Sequence, residues 1–183
     1  MLILRLGLTF VGFAVGAALS IHRASAHSLV CGPTAVHDRL TVVGPMAGTH
    51  PIWLVDGSSG RWRNADPVKS LWVLARHVRP RDDRGMGSPS VNAGSFRVQG
   101  RRLDGPGVIA FQDGIDAART DTLVIDDPGT RSVMPGGASG EVMWLYNFIP
   151  TYLIYPSPGC WELTGHLGGN EVKIVMELKP EMP

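Results

Sequence analysis

Residues 155–178 read YPSPGCWELTGHLGGNEVKIVMEL, and their spacing decides the fold. Val172, Ile174, Met176 and Leu178 fall on one face of an extended chain, with Lys173, Val175 and Glu177 on the other. That is the period of a strand with one buried face. Upstream, Trp161 and Leu163 share a face opposite Cys160, Glu162 and Thr164. Gly168-Gly169-Asn170 between the two runs is a short turn signal, so the spacing predicts two antiparallel strands joined as a hairpin. Trp161 and Leu163 should point into a core. Cys160 is then left at a strand's beginning, on the more polar side.

The same rhythm extends outward. The chain of 183 residues carries 23 Gly and 14 Pro. Turn residues recur at about eight-to-twelve-residue intervals, as in an all-β sandwich or barrel. Further strands are expected at 40–43, 51–55, 70–76, 95–99, 107–111, 122–125 and 152–155. Residues 79–94, RPRDDRGMGSPSVNAG, are polar and rich in Gly, Pro and Ser, which reads as a long exposed loop. Residues 142–149, VMWLYNFI, are almost continuously apolar. Such a run suits a central strand covered on both faces, or an exposed interaction surface. Large apolar patches are unusual on soluble monomers, which favours the covered strand. Trp72, Phe96, Trp144, Trp161 and Ile174 are the expected core anchors.

The start of the chain reads as a targeting segment. Arg5 precedes an apolar stretch over residues 6–19, and Ala24-Ser25-Ala26 supplies the small-x-small pattern that signal peptidase accepts. The stretch is shorter than the roughly 20 apolar residues of a spanning helix. No later apolar segment is long enough to span a bilayer as a helix. Residues 1–26 are thus expected to be a cleaved signal peptide, and residues 27–183 one exported domain in the periplasm or outside the cell. Disulfides persist there, so Cys31 and Cys160 are expected to pair. Ser28-Leu29-Val30-Cys31 also has a faint look of a lipidation site, but Val30 is bulky where a small residue belongs.

A resemblance covers about half of the exported chain. Residues 154–175, IYPSPGCWELTGHLGGNEVKIV, are similar to the closing segment of a group of bacterial secreted proteins and lipoproteins of unknown activity. That group ends in a Pro-Gly-Cys-Trp-Glu-x-Thr-Gly run before a final strand. SFRVQGRRLDGPG, residues 95–107, resembles a second element of the group, and Cys31-Gly32-Pro33-Thr34 an early cysteine near its mature start. The resemblance implies an immunoglobulin-like antiparallel β-sandwich and no particular reaction. Residues 56–93 and 142–149 have no clear counterpart.

Catalytic motifs do not stand out. Gly137-Ala138-Ser139-Gly140 runs into Glu141 and makes no nucleophile elbow. There is no HExxH, Cys-x-x-Cys or phosphate-cradling glycine loop. Asp113, Asp116, Asp121, Asp126 and Asp127 lack a calcium-loop spacing, and Asx turns account for them. The chain therefore reads as a non-enzymatic module without a cofactor.

One metal alternative follows from the cleavage site. Cutting after Ala26 makes His27 the first residue, offering an amine and an imidazole to one ion. With a second imidazole this resembles the copper brace that opens secreted lytic polysaccharide monooxygenases and periplasmic copper carriers, and such nitrogens suit Cu(II). His37, His50, His77 and His166 are the candidates for that second ligand.

Charge is near balance overall, at +1, but unevenly placed. Residues 61–102 hold ten Lys/Arg, nine of them Arg, against Asp66, Asp82 and Asp83. From residue 103 onward four Lys/Arg face eleven Asp/Glu. Guanidinium forks match carboxylate and phosphate. Arg79, Arg81 and Arg84 are thus the candidate contacts for an anionic glycan, a phospholipid or a protein of the envelope. The competing expectation is that basic strands pair across the sheet with acidic ones. Nucleic acid is not an expected partner, given export and the lack of a recognised binding motif.

Overall fold

The computed structural model describes residues 31–40, 43–76, 94–136 and 145–181, the side chains of 36–39 excepted. The expected signal peptide at 1–26, the loop at 79–93 and Trp144 lie outside the described residues. Among those described there are eleven strands: β1 (Val36–Leu40), β2 (Gly44–Thr49), β3 (Ile52–Val55), β4 (Arg61–Trp62), β5 (Val68–Ala75), β6 (Phe96–Arg102), β7 (Ala110–Gln112), β8 (Thr122–Ile125), β9 (Tyr146–Ile154), β10 (Gly159–Leu167) and β11 (Asn170–Pro180). They form a six-stranded sheet, β1-β2-β3-β5-β9-β7, packed on a five-stranded sheet, β4-β11-β10-β6-β8. The all-β sandwich stands. All pairings are antiparallel except the two-residue β4, which runs parallel to the end of β11.

The hairpin read from residues 155–178 forms in the expected register. Leu167 pairs with Asn170 around Gly168-Gly169, and Trp161 with Met176. Gly168 holds φ +59 at the first turn position, as the tight turn of a right-twisted hairpin requires. Trp161, Leu163, Val172, Ile174, Met176 and Leu178 are all buried. They meet Ile52, Leu54, Trp72, Leu74, Ile149 and Leu153 from the other sheet. Trp72 and Phe96 cross the interface edge to face at 5.2 Å, and the Trp72 indole N–H donates to Thr151 Oγ1 at 3.1 Å. Buried polar groups need such partners.

Cys160 is bonded to Cys31, with their Cα atoms 5.6 Å apart. Its side chain lies on the outer side of β10, as the alternation requires, yet it is buried. The residues following Cys31 run along the edge of β11 that β4 also borders: Thr34 N–H donates to the Val175 carbonyl at 2.8 Å, and Val175 N–H to Thr34 Oγ1 at 2.7 Å. The bridge ties the start of the described chain to the outside of the sandwich. Closing a loop of 129 residues stabilises by about 5 kcal/mol in the chain-entropy account.

Three expectations are corrected. The strand expected at 40–43 is replaced by a β1–β2 hairpin, because Gly44 to Thr49 carries no alternation to betray it. The strand expected at 107–111 is divided between the sheets. Ile109 N–H pairs with the Gly100 carbonyl on β6, and the chain then joins β9 from Ala110. The strand expected at 152–155 and residues 146–149 of the run expected at 142–149 are one strand, β9, passing through Pro150; residues 142–144 lie outside the described residues. Phe148 directs its backbone groups away from β5, toward Ser132 and Val133. Two residues on, Pro150 presents its missing donor to the same side, before pairing with β7 resumes at Tyr152. No sheet bond is lost there.

Candidate functional site

The two segments that carry the resemblance turn out to be each other's packing partners. β6 pairs with β10 along seven residue pairs, from Trp161↔Arg102 to Leu167↔Phe96. A side chain at Gly100 would collide with Ile109, at 2.5 Å, and one at Gly107 would press on the Trp161 ring at 3.0 Å, with φ already at +144. Arg102 Nε donates to Asp104 Oδ1 at 2.6 Å and Nη1 to Ser157 Oγ at 3.0 Å, and its guanidinium lies 6.0 Å from the Trp161 ring centre. Trp161 donates its indole N–H to the Ser157 carbonyl. The Arg102 hydrogen bond is the main cause holding the Asp104 carboxyl below its usual pKa. The Pro-Gly-Cys-Trp-Glu run is therefore an architectural joint. Its polar groups are spent on each other.

The outer face of the five-stranded sheet carries ion pairs within and across its strands. Arg101 Nη2 sits 2.9 Å from Glu162, Lys173 Nζ 3.6 Å from Glu171, and His166 Nδ1 3.8 Å from Glu171. A shallow depression of about 300 Å³ lies over Gln99, Arg101, Glu162, Thr164, Glu171 and Lys173. Cation and carboxylate alternate across it. For Arg101, opposite Glu162 on the neighbouring β10, the expectation that basic strands pair with acidic ones holds; Lys173 and Glu171 are both on β11.

The six-stranded sheet is apolar on both faces. Outward from the core, Met46, Trp53, Val73 and Phe148 form a second buried cluster. Leu71, Val55, Ala75 and Tyr146 pack against it, half buried. Trp53 touches Tyr146 with ring centres 5.9 Å apart, Tyr146 touches Phe148 at 6.3 Å, and His50 lies on the Trp53 edge at 5.8 Å. Ser132 and Val133 bond to the Phe148 backbone. The chain following them forms one wall of a groove of about 470 Å³ whose lining includes Val55, Lys69, Leu71, Met134 and Pro150. Val133 and Met134, which line this groove, are exposed. The outward positions of β3, β5 and β9 bear one charged side chain, Lys69, and no carboxylate.

At one end of this sheet stands Arg76. Its backbone N–H donates to the Leu145 carbonyl, and its Nε to the Asn147 carboxamide oxygen at 2.7 Å. Asn147 is 1% exposed. Burial lowers the Arg76 pKa, although a guanidinium stays charged. Arg101, Arg102 and Arg131 each meet a carboxylate, Arg131 on Asp113. Among the described residues no carboxylate lies within ion-pair distance of Arg76. The spacing of charges in sequence pointed to Arg79, Arg81 and Arg84, just beyond it; all three lie outside the described residues. Sequence reading passed over Arg76 because it sits inside a strand-like run, where nothing marks its lack of an acid.

The histidines proposed for copper are not brought together where they can be seen. His50 lies on the turn between β2 and β3, and His166 on the outer side of β10 in the other sheet. His27 and His77 lie outside the described residues, as does the His37 side chain. Among the described residues no three His, Cys, Asp or Glu converge as a metal site. Of the aspartates expected in turns, Asp127 accepts from the Gly129 N–H at 3.0 Å.

No protein-family model matches the chain, and no curated protein matches it. The chain is similar to a crystal structure from Bacillus anthracis whose protein bears the provisional name of lipoprotein, at 13% identity and a TM-score of 0.49. The likeness covers 90% of this chain and 98% of that one. Nothing about ligand or localisation follows from a likeness at that level. Among the described residues no helix is long and apolar enough to cross a membrane.

Proposed function

We propose that the chain is exported, loses residues 1–26, and serves as a non-enzymatic binding module of the envelope that engages an anionic component. The immunoglobulin-like relationship belongs to the same reading, as does a place in the periplasm or outside the cell. The observation that carries the binding proposal is Arg76, a half-buried guanidinium bonded to the carboxamide of the buried Asn147. A cation partly removed from water and, among the described residues, without a carboxylate partner is costly, and an incoming carboxylate or phosphate would offset that cost. Arg79, Arg81 and Arg84 follow within eight residues of sequence, and are proposed as further contacts. The disulfide suits an oxidising compartment.

The test is retention of the exported protein on envelope fractions, with Arg76→Ala and Arg81→Ala/Arg84→Ala beside the wild type. Retention should fall with salt and drop in both variants. Retention that ignores salt and survives all three substitutions sinks the anionic partner. An intact mass still containing residues 1–26, with reduced cysteines, sinks export. The same mass measurement with Cu(II) added decides the alternative in which His27 is the first ligand of a copper site.

A further inference from the structure

β11 runs for 11 residues, and its edge away from β10 is covered at two places among the described residues. Beside β4, Lys179 N–H donates to the Gly60 carbonyl at 3.0 Å. Further along, Thr34 exchanges its two bonds with Val175. By the two-residue period of the strand, the backbone groups of Lys173 and Glu177 face the same way as those of Val175. Gly32, Pro33 and Ala35 are exposed, so segment 31–35 is held to the sheet by Thr34 and by the covalent bond of Cys31. Cys160 is 3% exposed whereas Cys31 is half buried, which makes Cys31 the sulfur that an incoming thiolate reaches. Cys160 is secured independently of the bridge. Its strand pairs with both β11 and β6, and its carbonyl accepts from Leu103 N–H. Opening the bridge would free the segment and spare the sandwich.

The edge beneath the segment is complementary to itself. The outward side chains of β11 run Glu171, Lys173, Val175, Glu177, Lys179. A second copy turned antiparallel about Val175 sets Val175 opposite Val175, and Lys173 opposite Glu177 on both sides of the centre. On the core side, Ile174 falls opposite Met176. The pairing would end at Lys179, where β4 occupies the edge. Opposite charges directly across two strands stabilise and like charges destabilise, and an uncovered strand edge is a template for another chain.

We infer that segment 31–35 is a redox-released guard, and that the β11 edge it covers pairs with the same edge of a second copy of this chain. A dithiol is the reductant. Its first thiolate attacks the Cys31 sulfur and expels Cys160 as a thiolate. Its second attacks the first, expels Cys31 and closes the reductant's own disulfide, and both cysteines take up a proton. The inference goes beyond the anion-binding reading and does not depend on it.

The experiment is the mass in solution of the exported chain, oxidised and in excess dithiothreitol, with circular dichroism following the fold. The oxidised chain should be a monomer, and the reduced chain a folded, non-covalent dimer. Lys173→Glu should weaken that dimer about tenfold or more, because Glu then faces Glu on both sides of the centre. The exchange Lys173→Glu/Glu177→Lys restores opposite charges and should restore the dimer. A reduced chain that stays monomeric, or that loses its fold, overturns the inference. So does a dimer that forms equally well when oxidised, that Lys173→Glu leaves intact, or that the double exchange fails to restore.

Discussion

On the five-stranded sheet Arg101 faces Glu162 and Lys173 reaches Glu171, whereas the matching outward positions of the six-stranded sheet hold Leu71, Val73, Tyr146 and Phe148. Both sheets cover the same core, so core packing explains neither outer face. The first face satisfies itself with ion pairs that water can screen. The second keeps apolar area that solvent does not reward, which natural surfaces retain chiefly where something binds. The joint between β6 and β10, where the resemblance is concentrated, belongs to the first region. A signature in sequence can thus report how a fold is held together and be silent about what the protein touches.

The comparison can be broken at its strongest point first. Trp161→Ala removes a fully buried ring that packs on Gly107 and Tyr155, and should cost about 3–5 kcal/mol by urea denaturation. A loss under about 1 kcal/mol would mean that the joint is not what secures the five-stranded sheet. Replacing both cysteines by serine comes next, at about 2–5 kcal/mol, with the native fold retained at low temperature. A double-mutant cycle on Arg101 and Glu162 should give about 0.2–1 kcal/mol. That coupling should shrink with salt, since Arg101 is 67% exposed. Met134→Asp, at an exposed position, should change stability by no more than about 0.5 kcal/mol, which separates the apolar face from the framework.

The smallest effect concerns acid. The Asp104 carboxyl is held low chiefly by its bond to Arg102, so the folded state binds that proton less readily than the unfolded chain. Its stabilisation is complete above the ordinary aspartate value, near pH 4. It is lost as pH falls through the depressed folded value. Asp104→Asn should therefore flatten the decline of the melting temperature below about pH 4 and leave its shape near neutrality unchanged. The group is largely solvated, which keeps the effect small.

Legibility followed alternation. Thr122 to Ile125 was readable to the residue as a short β-branched run, and the buried positions of β11 were readable because one face is apolar and the other largely charged. Gly44 to Thr49 offers no such contrast, and Arg61-Trp62 is too short to offer any. Residues 142–149 were readable as a strand apolar on both sides, a reading that β9 supports from Tyr146 onward. Arg76 illustrates the opposite case: its neighbours in sequence are Ala75 and His77, while its neighbour in space is the buried Asn147, 71 residues away.

Local pattern alone determined the strand periods, the hairpin around Gly168-Gly169, the side of β10 that Cys160 occupies and the imbalance of charge between the two halves. These depend on residues adjacent in the chain, or on covalent chemistry. Which cations meet carboxylates, which sheet carries the apolar outer face and why Pro150 is tolerated inside β9 were decided by tertiary structure. Each depends on how strands distant in sequence are placed side by side, and burial and ion pairing respond to that placement in space.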